Sequence, residues 1–276
     1  MKQQDGAIVP GPAGGLVAPL FVPADRPERF EKAAASGADA VVIDLEDAVS
    51  PEAKDGARAA LAALASLAVP VIVRVNAPAT RWHADDVDLV VTRPDFGLML
   101  PKAEDPGVVA VLAGRLGAGR IFIALLESAL GIHRAVDIAR VARVSQLAFG
   151  PADFCNDIAC DDTAEALLLA RSTLVLASRL ASLAPPLDGP SFDFRDPART
   201  TGDARHAKGL GFGGKLAIHP AQVAWVKAAF APTETALAWA RRVVAAAGDG
   251  AAAGLDGTMV DAPLVARARR ILARAP

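Results

Sequence analysis

The chain has 276 residues, 53% of them hydrophobic, with 29 basic against 31 acidic side chains and a formal net charge of −2. That apolar share suffices for a substantial core, and balanced charge with no Lys/Arg block argues against a nucleic-acid partner. Two cysteines, Cys155 and Cys160, are too few for a disulfide framework or a structural zinc site and suit a reducing, cytoplasmic setting.

Residues 1–15 are broken by prolines and glycines and read as a loose arm instead of a secretory signal. No run reaches the roughly 18 apolar residues of a membrane span. Short Val/Ile/Leu/Phe runs then alternate with longer Ala-rich, charge-bearing segments, the pattern of β/α units around a parallel sheet. Strands are predicted over 16–22, 40–45, 71–75, 97–100, 121–126, 146–149, weakly over 186–194, and over 214–218. Each is a continuous apolar run, as strands covered on both faces require. Helices are predicted over 26–36, 51–67, 84–91, 106–116, 129–141, 163–183, 197–209 and 220–230, several with Pro or Ser at the start and Gly at the end.

Eight such units over residues 16–230 suit a closed (β/α)8 TIM barrel, an α/β fold of about 250 residues. An open doubly wound sheet is the rival, but VPADRP after the first strand lacks the glycine-rich turn that such a sheet uses. Residues 231–276 form a C-terminal helical extension, with helices over 233–247 and 263–273 joined by the Gly/Ala-rich DGAAAGLDG as a flexible hinge. This extension is available as a lid or as a contact with a neighbouring subunit.

The polar residues cluster at one end of the strands. Strand two ends in Asp44, Glu46 and Asp47, strand three in Arg74 and Asn76, strand four in Lys102, and strand five in Glu127. Asp153 follows strand six, and His219 ends strand eight. In a closed barrel these ends converge on the face that carries the active site.

Glu127 and Asp153 offer hard oxygen ligands to Mg²⁺ or Mn²⁺, with water and substrate oxygens completing the octahedron. Asp44, Glu46 and Asp47 are placed to hold metal-bound water. Arg74 presents a planar fork that matches a carboxylate, or it pairs with Asp44 or Glu46 at the barrel mouth. Metal and arginine together form a receptor for an α-keto acid and support aldol or Claisen chemistry. Lys102 sits in the acidic stretch LPKAED, so an internal ion pair is expected of it before a Schiff base. His219 is expected to cap or pack under the last barrel helix, and the cysteines to be ordinary small buried residues.

Seven blocks, LFVPADRPERFEKAAASGADAVVIDLEDAV, VIVRVN, LMLPKAE, ALLESALGI, LAFGPADF, GFGGKLAIHP and MVDAP, resemble in order and spacing the citrate lyase β-subunit-like proteins of the HpcH/HpaI aldolase superfamily, which include malyl-CoA and citramalyl-CoA lyases. The resemblance implies a TIM barrel assembled as a homotrimer or homohexamer. It also implies Mg²⁺-dependent cleavage or synthesis of 3-hydroxyacyl-CoA thioesters with glyoxylate or pyruvate as the α-keto acid. By position, Glu127 and Asp153 resemble the metal ligands, Arg74 the substrate-carboxylate ligand, and Glu46 and Asp47 the acidic pair near the metal. Asp261 in MVDAP resembles an acid/base that a C-terminal lid brings to a neighbouring subunit's site; a helix N-cap before Pro263 would look the same. Where the family commonly has Arg-Ser before the first strand and glycine after VP, this chain has Val17, Ala18 and Ala24.

Three functions compete on these residues. The first is a lyase for CoA thioesters of the malyl-CoA or citramalyl-CoA type. The second is a class II aldolase acting on free 4-hydroxy-2-oxo acids without CoA. The third is a citrate lyase β-subunit that depends on an acyl-carrier partner.

Overall fold

The computed structural model describes residues 15–247, 253–255 and 258–274. The chain divides into two compact units, one ending at Ala229 and the other beginning at Phe230.

In the first unit eight parallel strands follow in chain order: β1 (Leu20–Pro23), β2 (Val41–Asp44), β3 (Val71–Arg74), β4 (Phe96–Leu100), β5 (Phe122–Leu126), β6 (Gln146–Phe149), β7 (Leu187–Asp188) and β8 (Gly214–Lys215). The sheet closes on itself, because Lys215 N–H donates to the Val17 carbonyl at 2.8 Å and Phe21 N–H to that of Ala217 at 2.8 Å. Gly214 permits the closure: a Cβ there would lie 2.3 Å from the Val17 oxygen. The expected TIM barrel is therefore present, and its interior is filled by one buried cluster that includes Val42, Ile72, Met99, Ile123, Leu125 and Ala148. Side chains packed in this way leave no pore.

The helices form where patterning and end signals place them. Pro106–Leu116 opens on Asp105, whose carboxylate accepts from the Gly107 amide, and closes at Gly117 with φ 87°. Pro197–Leu210 likewise opens on Asp196 and stops at Gly211 with φ 108°.

Several expectations need correction. The predicted helix over 129–141 is two short helices, Ala129–His133 and Ala135–Ala139, and that over 163–183 begins only at Leu168. The weak seventh strand contracts to two residues, since Gly189 and Pro190 end its ladder. A helix at Pro151–Ile158, directly after β6, was not anticipated. Its start follows from Pro151 in the first turn and its stop from Ala159 in the left-handed region.

The second unit contains helices Glu234–Ala247 and Ala262–Leu272, whose shared core includes Ala240, Val243, Val260 and Ala268. Part of the Gly/Ala-rich stretch expected as a hinge is strand: Ala253–Leu255 pairs antiparallel with Thr258–Val260. The rest of that stretch, and most of the N-terminal arm, lie outside the described residues.

Candidate active site

Alternate residues of a strand share a face, so each inward column of the barrel continues into a polar residue at its top. Val42 leads to Asp44, Ile72 to Arg74, and Ile123 and Leu125 to Glu127. Asp44, Glu46 and Glu127 are 1%, 6% and 3% exposed, so these are carboxylates taken out of water at the rim of an apolar core.

Burial at this price requires partners. Asp44 accepts both prongs of Arg74, Nε at 2.7 Å and Nη2 at 2.6 Å, and also the amides of Glu46 and Ala48. The Arg74 Nη1 lies 3.1 Å from Glu46 Oε2 and 3.9 Å from the exposed Asp47, while the guanidinium covers the Phe21 ring. Arg74 stays charged: desolvation works against the cation, and the surrounding carboxylates outweigh it. Lys102 adopts a left-handed backbone, φ 46°, which aims its N–H at Glu127 Oε1 at 2.8 Å. Its ammonium bridges Glu46 at 3.4 Å and Asp153 at 3.7 Å, the internal ion pair expected of it.

Glu127, Glu46, Asp47, Arg74 and Asp153 thus surround one cluster, and all but Glu46 line a cavity of 370 Å³ at the strand ends. Asp153 arrives on the unanticipated helix Pro151–Ile158, in its first turn. Gly150, between β6 and that helix, is required by the approach of Glu127: a Cβ there would lie 2.4 Å from Glu127 Oε2.

The cluster is short of positive charge. Burial, the nearby Glu46 and Asp153 raise the Glu127 carboxyl to about 8, against the Lys102 amide and Arg74. Burial likewise raises Glu46 to about 7, although Arg74 and Lys102 oppose it. Glu46 Oε2 is buried and, despite its closeness to Arg74, has no aligned hydrogen bond. A divalent cation fits this donor set. Among the described residues no group of three or more His, Cys, Asp or Glu side chains is placed to hold a metal, so an ion here would rest on the two carboxylates of Glu127 and Asp153 and on water or substrate oxygens.

Other expectations resolve differently. His219 does cap and pack: its Nδ1 accepts from the Ala221 amide at 3.2 Å, and its ring stacks on Phe194. Asp261 lies in the second unit, exposed, and caps helix Ala262–Leu272 by accepting from the Leu264 amide at 3.0 Å. Cys155 and Cys160 are half-buried instead of buried, and they face each other at 3.8 Å between sulfurs. Lys54 was overlooked. Its buried ammonium donates to the carbonyls of Leu45 and Glu46, both at 2.8 Å, and pins the loop that carries Glu46. The only sequence sign was a lysine in the first turn of a helix that directly follows the acidic strand end.

A closed eight-stranded barrel with carboxylates, an arginine and a lysine gathered at the C-terminal ends of its strands has the form of a TIM-barrel active site. The chain belongs to the HpcH/HpaI aldolase/citrate lyase family, whose model matches residues 18–220. It is 37% identical over 265 residues to a citrate lyase subunit beta-like protein of Mycobacterium tuberculosis, covering 93% of this chain and 94% of that one. It is 34% identical over 282 residues to the L-malyl-CoA/beta-methylmalyl-CoA lyase of Cereibacter sphaeroides, with 89% and 88% covered. Among solved structures, CitE from Mycobacterium tuberculosis in complex with magnesium, acetoacetate and coenzyme A superposes with a TM-score of 0.83 at 35% identity, covering 97% of this chain and 99% of that one.

Proposed function

We propose that the protein cleaves or forms the C–C bond of a 3-hydroxyacyl-CoA thioester of the malyl-CoA or citramalyl-CoA type, with glyoxylate or pyruvate as the α-keto acid. The observation that carries this reading is the gathering of Glu127, Asp153 and Arg74 around one rim cavity. The magnesium, acetoacetate and coenzyme A in the CitE complex support it.

Glu127 and Asp153 would hold Mg²⁺, with Mn²⁺ as a substitute, and the ion would supply Lewis-acid stabilisation of developing oxygen charge. Arg74, fixed by Asp44, turns its remaining N–H groups to the keto-acid carboxylate. Glu46 and Asp47 would orient water and the substrate's polar groups beside the ion. Asp261 moves the proton at the acyl α-carbon: it removes it in synthesis and returns it in cleavage. It does so from the C-terminal unit of a neighbouring subunit in a homotrimer or homohexamer, acting as a lid.

A CoA-independent aldolase reading has one observation in its favour. Ala18 is fully buried, the amides of Val17 and Ala18 both donate to Asp39, and the ammonium beside them, that of Lys227, is paired with the same Asp39 at 2.5 Å, so positions 17 and 18 themselves offer no basic side chain to a nucleotide phosphate. Purified protein is assayed on malyl-CoA, citramalyl-CoA and a free 4-hydroxy-2-oxo acid, with and without Mg²⁺. Magnesium-dependent release of glyoxylate or pyruvate from a thioester is expected. Turnover of the free acid alone would select the aldolase, and no turnover without an acyl-carrier partner would select a citrate lyase β-subunit.

A further inference from the structure

The two cysteines of the chain have no part in the reaction proposed above, yet they stand at the two sides of one helix-terminating turn. Helix Pro151–Ile158 stops at Ala159, whose φ of 55° takes the backbone into the left-handed region. The amides of Ala159 and Cys160 then both fold back onto the Cys155 carbonyl, that of Cys160 at 3.1 Å. A helix end closed in this way brings together the side chains of the two residues bonded across it, a place that apolar side chains commonly fill. Here both are thiols, and the Cys160 sulfur lies 3.8 Å from that of Cys155.

A disulfide needs its sulfurs about 2.05 Å apart on two main chains that already run close together. The Cys160 to Cys155 backbone hydrogen bond supplies that closeness. What remains is rotation of the two side chains about single bonds, and the helix need not unwind for it.

The turn lies at the surface. Asn156, Asp157, Ile158 and Ala159, which separate the cysteines, are exposed, and both cysteines are half-buried, so a small reagent meets the sulfurs from solvent. No third thiol in the chain competes for either partner. Asp157, Asp161 and Asp162 are exposed carboxylates within a few residues of the pair. Their charge favours an uncharged oxidant over an anionic one.

We propose that Cys155 and Cys160 form a reversible modification site, which hydrogen peroxide oxidises to an internal disulfide and a low-molecular-weight thiol restores. The inference needs neither the metal nor the substrate of the proposed reaction. One thiol, as thiolate, attacks the peroxide; the O–O bond breaks, hydroxide leaves and takes up a proton as water, and the sulfur becomes a sulfenic acid. The second sulfur, already in contact, attacks it; the S–O bond breaks, a second water leaves and the S–S bond forms. In total two thiols lose two protons and two electrons, and one peroxide becomes two waters. Contact between the sulfurs lets this second step outrun further oxidation to the irreversible sulfinic acid. The bond staples the last turn of the helix whose first turn carries Asp153, and its exposed position keeps it open to reduction.

The test treats the intact, reduced protein with a small excess of hydrogen peroxide, removes the peroxide, and follows with thiol titration in denaturant and mass spectrometry. Both thiols should be lost, the chain should be lighter by two hydrogens, and a digest should contain one peptide bridged between Cys155 and Cys160. Dithiothreitol should return both thiols in full. In Cys160→Ser, folded by circular dichroism, no partner resolves the sulfenic acid, so oxygen should accumulate on Cys155 and part of the thiol should not return. The outcome in the unaltered chain decides. Two thiols that both survive prolonged exposure sufficient to oxidise free cysteine fully would overturn the proposal. So would sulfinic acid or disulfide-linked dimers in place of the internal bridge.

Discussion

Asp44 holds Arg74 by two parallel hydrogen bonds, 2.7 Å to Nε and 2.6 Å to Nη2, and the same carboxylate accepts the amides of Glu46 and Ala48. One buried side chain therefore sets the direction of the arginine fork and the path of the loop that brings Glu46 to it. Asp44→Ala should cost about 3–5 kcal/mol of stability, because it leaves a mostly buried guanidinium without its main partner. Asp47, which is 61% exposed and 3.9 Å from Arg74, should change stability by less than about 1 kcal/mol when replaced by alanine. Urea unfolding of both variants checks the contrast.

Metal binding should release protons. In the metal-free protein burial holds Glu127 up to about 8 and Glu46 up to about 7, so both are largely protonated at pH 6. A cation takes the ionised forms, so Mg²⁺ affinity should rise from pH 6 to pH 8.5. Titration calorimetry in buffers of different ionisation enthalpy measures the released protons. The sign for stability is opposite. Between the ordinary carboxyl value of 4.5 and these raised values the folded state binds more protons than the unfolded chain. The metal-free protein should therefore lose stability as pH rises through that window, and Mg²⁺ should offset the loss.

Gly150→Ala is expected to weaken metal binding without breaking the barrel. The new methyl would lie 2.4 Å from Glu127 Oε2 and must push the carboxylate aside. A loss of about 10–100-fold in Mg²⁺ affinity is the scale found when a ligand's support is disturbed. Circular dichroism and titration of the same preparation separate displacement from unfolding.

Asp261→Asn separates the two roles of that residue. Asparagine caps a helix about as well as aspartate, so the thermal midpoint should hardly move. An amide does not exchange the α-proton, so kcat should fall by at least about 100-fold. An unchanged kcat would leave Asp261 as a cap alone.

Asp188 on β7 is buried and accepts from Arg171 Nε and Lys215 Nζ, both at 2.9 Å, and this triad should make stability acid-sensitive. Burial by itself would raise this carboxyl, but Lys215 and Arg171 together hold it below the ordinary range. Its contribution is present above the unfolded value and is lost as pH falls through the depressed folded one. Asp188→Asn should flatten the acid limb of a stability profile measured by urea unfolding, and should destabilise the protein at neutral pH by about 3–5 kcal/mol.

The barrel was legible because a strand covered on both faces must be apolar throughout, and the first six strands have that character; β7 and β8 contract to Leu187–Asp188 and Gly214–Lys215, where the apolar signal is weak or lies beyond the ladder. Glu127 and Arg74 could be read because an inward column that ends in a charge breaks the apolar run at a fixed place. Asp153 was found by its position after β6, but its helix was not, since PADFCNDI offers only a first-turn proline and a periodicity too short to outweigh its neighbours. The triad of Arg171, Asp188 and Lys215 stayed hidden for a physical reason: its members come from three elements, and only the closed barrel reveals that two cations share one acid. Likewise Lys54 looked like any surface lysine of a first helical turn until its ammonium was seen on the Leu45 and Glu46 carbonyls.

The central claim is that Glu127 and Asp153 hold one divalent ion beside Arg74. Titration of Mn²⁺ into the protein, followed by electron paramagnetic resonance of the free ion, tests it most directly. One tight site per chain is expected, lost or weakened by at least about 100-fold in both Glu127→Gln and Asp153→Asn, and retained in Arg74→Gln. Tight binding that survives both carboxylate changes would contradict the account.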